Sequence, residues 1–309
     1  MVWVKRIFLF MAVNLLVMLT VSVLLKVFNV QPYLSAKGMN YESLAAFCLI
    51  WGMGGAFISL ALSRIMAKWM MGVQVIDPAT QDSAMRSLVQ RVYFLAQKAG
   101  LKTMPEVGVY NSPDINAFAT GPSKSRSLVA VSSGLLERMD RNEAEGVLAH
   151  EIAHIANGDM VTMTLIQGVV NAFAMFLARA LAFAISQMTS GSRDGEEGSS
   201  AGGMSSLTYF ITQFVLEIIF MILGSIVVAW FSRLREFRAD AGGAQLAGKA
   251  QMIAALQALQ RNAEMLDSGA SQGGVQTLKI SSKGSGLFRF FSTHPDLAVR
   301  IERLQSSGN

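Results

Sequence analysis

The sequence predicts an α-helical membrane protein, with about four transmembrane or membrane-associated helices carrying an α+β domain. Three observations predict it. Charged residues make up 15% of the 309 and hydrophobic ones 52%, whereas soluble domains average roughly 25% charged. Four apolar runs, Ile7 to Leu25, Ser43 to Ser63, Met160 to Met188 and Leu207 to Phe231, are each long enough for a hydrocarbon core of about 30 Å. Between and after them the texture is that of a mixed soluble domain. The net charge of +5 fits basic segments beside a membrane, and no basic–aromatic cluster points to nucleic acid. With a single cysteine, Cys48, an internal disulfide is excluded and a reducing compartment fits.

Residues 1–69 are expected to form a pair of transmembrane helices. Lys5-Arg6 precede the first run, which is longer than the apolar core of a secretory signal. Asn29, Gln31 and Tyr33 follow it rather than a small-residue cleavage site, so it reads as an uncleaved span. The second run contains Gly52, Gly54 and Gly55, small residues that let membrane helices approach, and ends at Arg64 and Lys68.

Residues 70–159 read as the first part of the polar domain. Asp77-Pro78 opens a helix whose apolar positions Met85, Leu88, Val89, Val92, Leu95 and Ala96 keep the helical period, ending near Gly100. Extended pieces follow at Glu106 to Tyr110, Ala117 to Thr120 and Ser127 to Ser132, punctuated by Pro105, Pro113, Gly121 and Pro122. Together they predict a small antiparallel sheet with helices packed on it. A further helix covers Asn142 to Asp159, closing on the stop signal Asn157-Gly158-Asp159.

Residues 160–231 are expected to be a membrane hairpin of two apolar helices, crossing fully or lying partly in the interface. Gln167, Asn171, Arg179 and Glu217 are costly in lipid unless they face protein or water; Arg179 and Glu217 are a candidate pair across the hairpin. The Gly/Ser-rich segment 190–206 reads as a loop. Residues 232–309 complete the polar domain. Lys249 to Leu266 predicts an amphipathic helix with Ile253, Leu256, Leu259 and Leu266 as its buried stripe. A Gly/Ser-rich segment, 268–286, precedes a short helix from Asp296 to Leu304. Lys5, Arg6, Arg64, Lys68, Arg233, Arg235 and Arg238 flank the runs on one side, and only Lys26, Lys37 and Arg193 on the other, which assigns the first set to the cytoplasm.

The chemistry concentrates at His150-Glu151-Ile152-Ala153-His154. Four residues apart on a helix, two of the three histidines in the chain project from one face, one turn above the other. Two neutral imidazoles so placed can grip one Zn²⁺, and Glu151 can take a proton from a water activated there. The plain alternative is a surface helix with two solvated imidazoles. A third ligand must come from elsewhere, and His294 or a carboxylate is chemically apt. Glu236 and Asp240, again four apart, can both face the metal helix. Glu236 then ligates, and Asp240 accepts the distal N–H of a zinc-bound histidine. Alternatively they are solvated charges paired with Arg233, Arg235 or Arg238. If Glu236 is to reach the histidines, an even number of crossings must separate them, as the two apolar runs between allow. His294, in Ser-Thr-His-Pro, sits in a rigid turn and can face a developing oxyanion, or be a partly buried histidine of no chemical role.

These residues resemble the HtpX family of bacterial heat-shock membrane proteases, relatives of the zinc proteases that process prenylated (CAAX) proteins. The resemblance rests on His150-Glu151-Ile152-Ala153-His154, Glu236-Phe237-Arg238-Ala239-Asp240, Asn116-Ala117-Phe118-Ala119 and Thr293-His294-Pro295 followed by Arg300, and it covers essentially the whole chain. It implies a zincin-like (gluzincin) catalytic domain and a zinc endopeptidase of the bacterial inner membrane. Its site would face the cytoplasm and act on damaged or misfolded membrane proteins. It also implies Glu236 as third ligand, His294 and Arg300 around the site, and Asn116 to Ala119 as an edge strand pairing with extended substrate. An edge strand suits that task because main-chain hydrogen bonds grip any sequence; it could equally be a strand of the domain's own sheet. Two other classes fit less well. A chaperone or scaffold with purely structural zinc favours a closed, thiolate-rich shell, which the chain lacks. A transporter, suggested by Arg179 and Glu217, favours repeat symmetry, and no repeat is visible.

Overall fold

The computed structural model describes residues 19–20, 22–23, 25–27, 34–35, 38–190, 206–270 and 294–307. The first expected span, Ile7 to Leu25, and the expected loops 190–206 and 268–286 lie wholly or largely outside them. Among the described residues three helices are long and apolar enough to cross a membrane. They are α1 (Tyr41–Met70), α5 (Asp159–Ser190) and α6 (Ser206–Ala247). The molecule is mostly helical, with short strands β1 (Leu34–Ser35) and β2 (Gly38–Met39) paired antiparallel ahead of α1. Internal contacts divide the chain into two compact units, Met1–Ser59 with Thr164–Val228 and Leu60–Met163 with Ala229–Asn309.

In the first unit, small residues set the packing. A side chain at Gly52 would meet the backbone of Gly168 and Ala172 at under 3 Å, so this glycine serves the close helix approach expected of it. The expected pair forms as well: Arg179 Nη1 lies 3.3 Å from Glu217 Oε2, and the guanidinium sits over the Phe47 ring at 5.5 Å. Gln167 donates to Asn171 Oδ1 at 2.7 Å. Each of these polar groups thus has a partner inside an apolar setting.

The second unit holds β3 (Gln74–Val75), α2 (Ser83–Lys98), β4 (Glu106–Tyr110), β5 (Ala117–Ser123), β6 (Arg126–Ser132), α3 (Ser133–Arg138) and α4 (Arg141–Asn157). After the far end of α6 come α7 (Lys249–Ala270) and α8 (Leu297–Ser306). Helix α2 starts later than Asp77-Pro78: Asp82 is its cap, its carboxylate accepting from the Ala84 and Met85 N–H groups. The cap wins because the carboxylate satisfies amides the first turn leaves open. Leu88, Val89, Val92, Leu95 and Ala96 are buried as the helical period requires.

The sheet is mixed rather than antiparallel. Its order is β3-β4-β6-β5, with β4 and β6 parallel and the other pairs antiparallel. Residues 127–132 of β6 are all buried, and a strand covered on both faces takes a central position. Hence β6 inserts between β4 and β5, leaving β5 at an edge. Strand β5 packs against α4, and the core between sheet and helices joins Val92 and Leu95 to Val129 and Val131 and to Leu148 and Ile152. On α7 the buried positions are Met252, Ala255, Leu256 and Ala258, with Ile253 and Leu259 only partly covered. Met252 and Leu256 in turn pack on Ile301 and Leu304 of α8.

Candidate metal centre

Helix α4 is fixed at both ends. Asp140 and Glu143 form a reciprocal capping box at its start, satisfying open amides there. Gly158, at φ 75°, ends it in the left-handed conformation that costs glycine little. Lys124 Nζ also donates to the Ala156 carbonyl. Helix α6 crosses α4 at Gly242 and Gly243. A side chain at Gly242 would meet Ala153 Cβ at 2.8 Å, and one at Gly243 would meet the His150 backbone nitrogen at 3.2 Å. Absence of side chains there brings the preceding turns of α6, which carry Glu236 and Asp240, directly onto the two histidines.

The result is a buried convergence of His150, His154 and Glu236. Zinc bonds of about 2.0–2.1 Å in tetrahedral array put neighbouring donors roughly 3.3 Å apart. The two Nε2 atoms are 3.1 Å apart. His150 Nε2 is 3.5 Å from Glu236 Oε2, and His154 Nε2 is 3.3 Å from Glu236 Oε1. Each imidazole turns its Nδ1 to a carboxylate: His150 to Asp240 Oδ1 at 3.0 Å, His154 to Asp159 Oδ2 at 2.6 Å. Both Nδ1–H groups therefore donate outward, and both Nε2 lone pairs face one point together with a carboxylate. That arrangement is repulsive by itself and suits a shared cation.

The electrostatics agree. Burial opposes charge on Glu236, which is 1% exposed, yet the neighbouring His150, His154 and His294 outweigh it and hold the carboxyl far below the usual carboxylate range. Asp240 is likewise lowered, burial being overcome by Arg300 and then His150. Burial works against a charged imidazole at both histidines, but Asp240 and Glu236 raise His150. Asp159 and Glu236 push His154 up to about 9. Every shift favours positive charge between these side chains.

Of the remaining expected residues, Glu151 lies half-buried on α4, close enough for its charge to act on both histidines and on Arg300. His294 is 63% exposed at the side chain and places Nδ1 2.9 Å from Glu236 Oε2. Arg300 is buried, with Nε and Nη2 on the two oxygens of Asp240 at 2.8 and 2.6 Å. Asn116 precedes β5 and exchanges bonds with Ser132: its N–H donates to Ser132 Oγ at 3.1 Å and its carbonyl accepts from Ser132 N–H at 2.9 Å. Ala117, Phe118 and Ala119 lie in β5. Arg235 Nη2 also reaches Glu236 Oε1 at 3.1 Å, so one of the arginines weighed against ligation does pair with Glu236, without drawing it into solvent. Sequence reasoning missed Asp159, reading it only as part of a helix stop. The available signal was the glycine before it, which turns the chain back so that the next residue faces the turn just completed.

Two imidazoles and a carboxylate on crossing helices, in a chain that also holds three membrane-length helices among its described residues, define a membrane metalloprotease. Residues 80–307 match the family described as Peptidase family M48. The chain is 49% identical over 310 residues to the Protease HtpX homolog of Bacillus subtilis (strain 168), covering 98% of this chain and 99% of that one. It is 51% identical over 304 residues to Protease HtpX of Aeromonas hydrophila, with coverage of 97% and 99%. Among solved structures it is similar to the crystal structure of S. mikatae Ste24p, with TM-score 0.64 and 17% identity over 98% of this chain and 66% of that one; the likeness shows the zincin-like fold. The chain belongs to peptidase family M48, and His150, His154 and Glu236 are its zinc site.

Proposed function

We propose that this metalloprotease is an endopeptidase of the bacterial inner membrane, which hydrolyses peptide bonds of damaged or misfolded membrane proteins at the cytoplasmic face. The observation that carries the reading is the convergence of two Nε2 lone pairs and the Glu236 carboxylate, each imidazole held from behind by a buried acid. Zinc, when bound, supplies Lewis acidity, polarising a carbonyl and lowering the pKa of water towards about 7. His150, His154 and Glu236 hold it; Asp240 keeps His150 in the ligating tautomer, and Arg300 fixes Asp240.

Glu151 is the general base. Its carboxylate takes a proton from the attacking water as the oxygen bonds to the carbonyl carbon. It then returns that proton to the amine as the C–N bond breaks, so water is divided between the new acid and the new amine. His294 stabilises the oxyanion; the solvent exposure of its ring supports approach of a substrate carbonyl to it. Asn116, Ala117, Phe118 and Ala119 present the substrate strand, supported by the edge position of β5 and its packing on α4. Main-chain pairing there accepts unfolded segments of any sequence. The basic residues Arg64, Lys68, Arg233, Arg235 and Arg238 support the cytoplasmic face.

The test is Glu151→Gln in detergent-purified protein, assayed on a membrane protein and on its misfolding variant. Zinc should stay stoichiometric while cleavage falls by about 10²–10⁴-fold, and the wild type should prefer the misfolding substrate. Undiminished cleavage by Glu151→Gln, or by the chelated wild type, rejects the mechanism. Equal cleavage of the two substrates rejects the quality-control reading.

A further inference from the structure

The two acids behind the imidazoles are not equivalent. Asp240 is gripped by both arms of Arg300 at 2.6 and 2.8 Å, and Arg300 Nη2 also lies 3.5 Å from His150 Nδ1. The acid facing His150 is thus already neutralised. Asp159, 2% exposed, faces His154 at 2.6 Å, and among the described residues His154 is its only ion-pair partner within 4.0 Å.

We infer that Asp159 is a positioning residue that makes His154 the stronger imidazole ligand of the zinc centre. An unneutralised carboxylate on Nδ1–H draws that proton outward and raises electron density at Nε2; a carboxylate already bound to guanidinium does so less. The local backbone explains how the chain carries such an acid. Gly158 reverses direction, and Asp159 becomes the first residue of α5. Open N–H groups at a helix N-terminus favour negative charge, so this turn suits a buried acid that has no arginine beside it. The inference rests on the zinc site alone, not on Glu151 as base or on the substrate.

The experiment compares full-length protein in detergent with Asp159→Asn, Asp159→Ala and Arg300→Gln, titrating zinc against a competing chelator. Asparagine keeps shape and an acceptor oxygen but removes the charge. Asp159→Ala should weaken zinc binding about 10–100-fold and Asp159→Asn by a smaller factor. The visible bands of the cobalt-substituted protein should shift in both, while the metal-free melting temperature of Asp159→Asn stays that of metal-free wild type. Arg300→Gln, which unmasks Asp240, should move zinc affinity upward. Wild-type affinity in Asp159→Ala overturns the inference, as does an affinity loss in Asp159→Asn matched by loss of metal-free stability or folding. A fall in Arg300→Gln equal to that in Asp159→Ala overturns the asymmetry.

Discussion

At the scale of single residues, the site is governed by what lies behind each ligand. His150 and His154 are four apart, which places them on one helical face before any tertiary contact exists. Their spacing made the metal pair legible in the sequence. Glu236 was the preferred third ligand, but its spacing alone did not decide it, because a carboxylate on a helix beside arginines has an ordinary solvated reading. Its burial, which no local pattern announces, decides the matter. Removing it leaves two imidazoles without the anionic donor, so Glu236→Ala should purify with markedly less than one zinc per chain after dialysis. Elemental analysis checks this, and a full complement contradicts ligation. Asp159 was illegible for a different reason: its role depends on the direction the chain takes after Gly158, a property of one backbone angle.

Among the elements, helices were read well and the sheet poorly, for one physical cause. Helix periods are local, so α2, α4 and α7 were visible from apolar spacing and caps. Lateral strand order is set by which strand can be covered on both faces. The clue lay in Leu128, Val129, Ala130 and Val131, an unbroken apolar run suited to a central strand, but its neighbours cannot be read from chain order. Between α5 and α6, the Arg179–Glu217 pair has the character of a buried ion pair in an apolar setting, where loss of one partner strands the other. Arg179→Leu alone should cost on the order of 2 kcal/mol or more, and Arg179→Leu with Glu217→Leu less than the sum of the two singles. A double-mutant cycle on unfolding in detergent measures the coupling, and a value of zero dismisses the pair.

For the whole molecule, the ligands dictate the topology. His154 and Glu236 meet although α5 and the apolar part of α6 separate them in sequence, so the intervening crossings must be even in number. On the topology proposed above, with Cys48 replaced by Ala, labels at Ser199→Cys and Gln97→Cys should react from opposite sides of sealed vesicles. Reaction of both from one side means that the hairpin does not cross. The same order of ligands along the chain has a bearing on synthesis. The histidine pair leaves the ribosome long before Glu236, and Asp240 and Arg300 later still. A nascent chain with its first half folded holds an incomplete cage, so proteolytic competence arises only after the second half has been made and inserted. A protease built in this order is silent while it is being born.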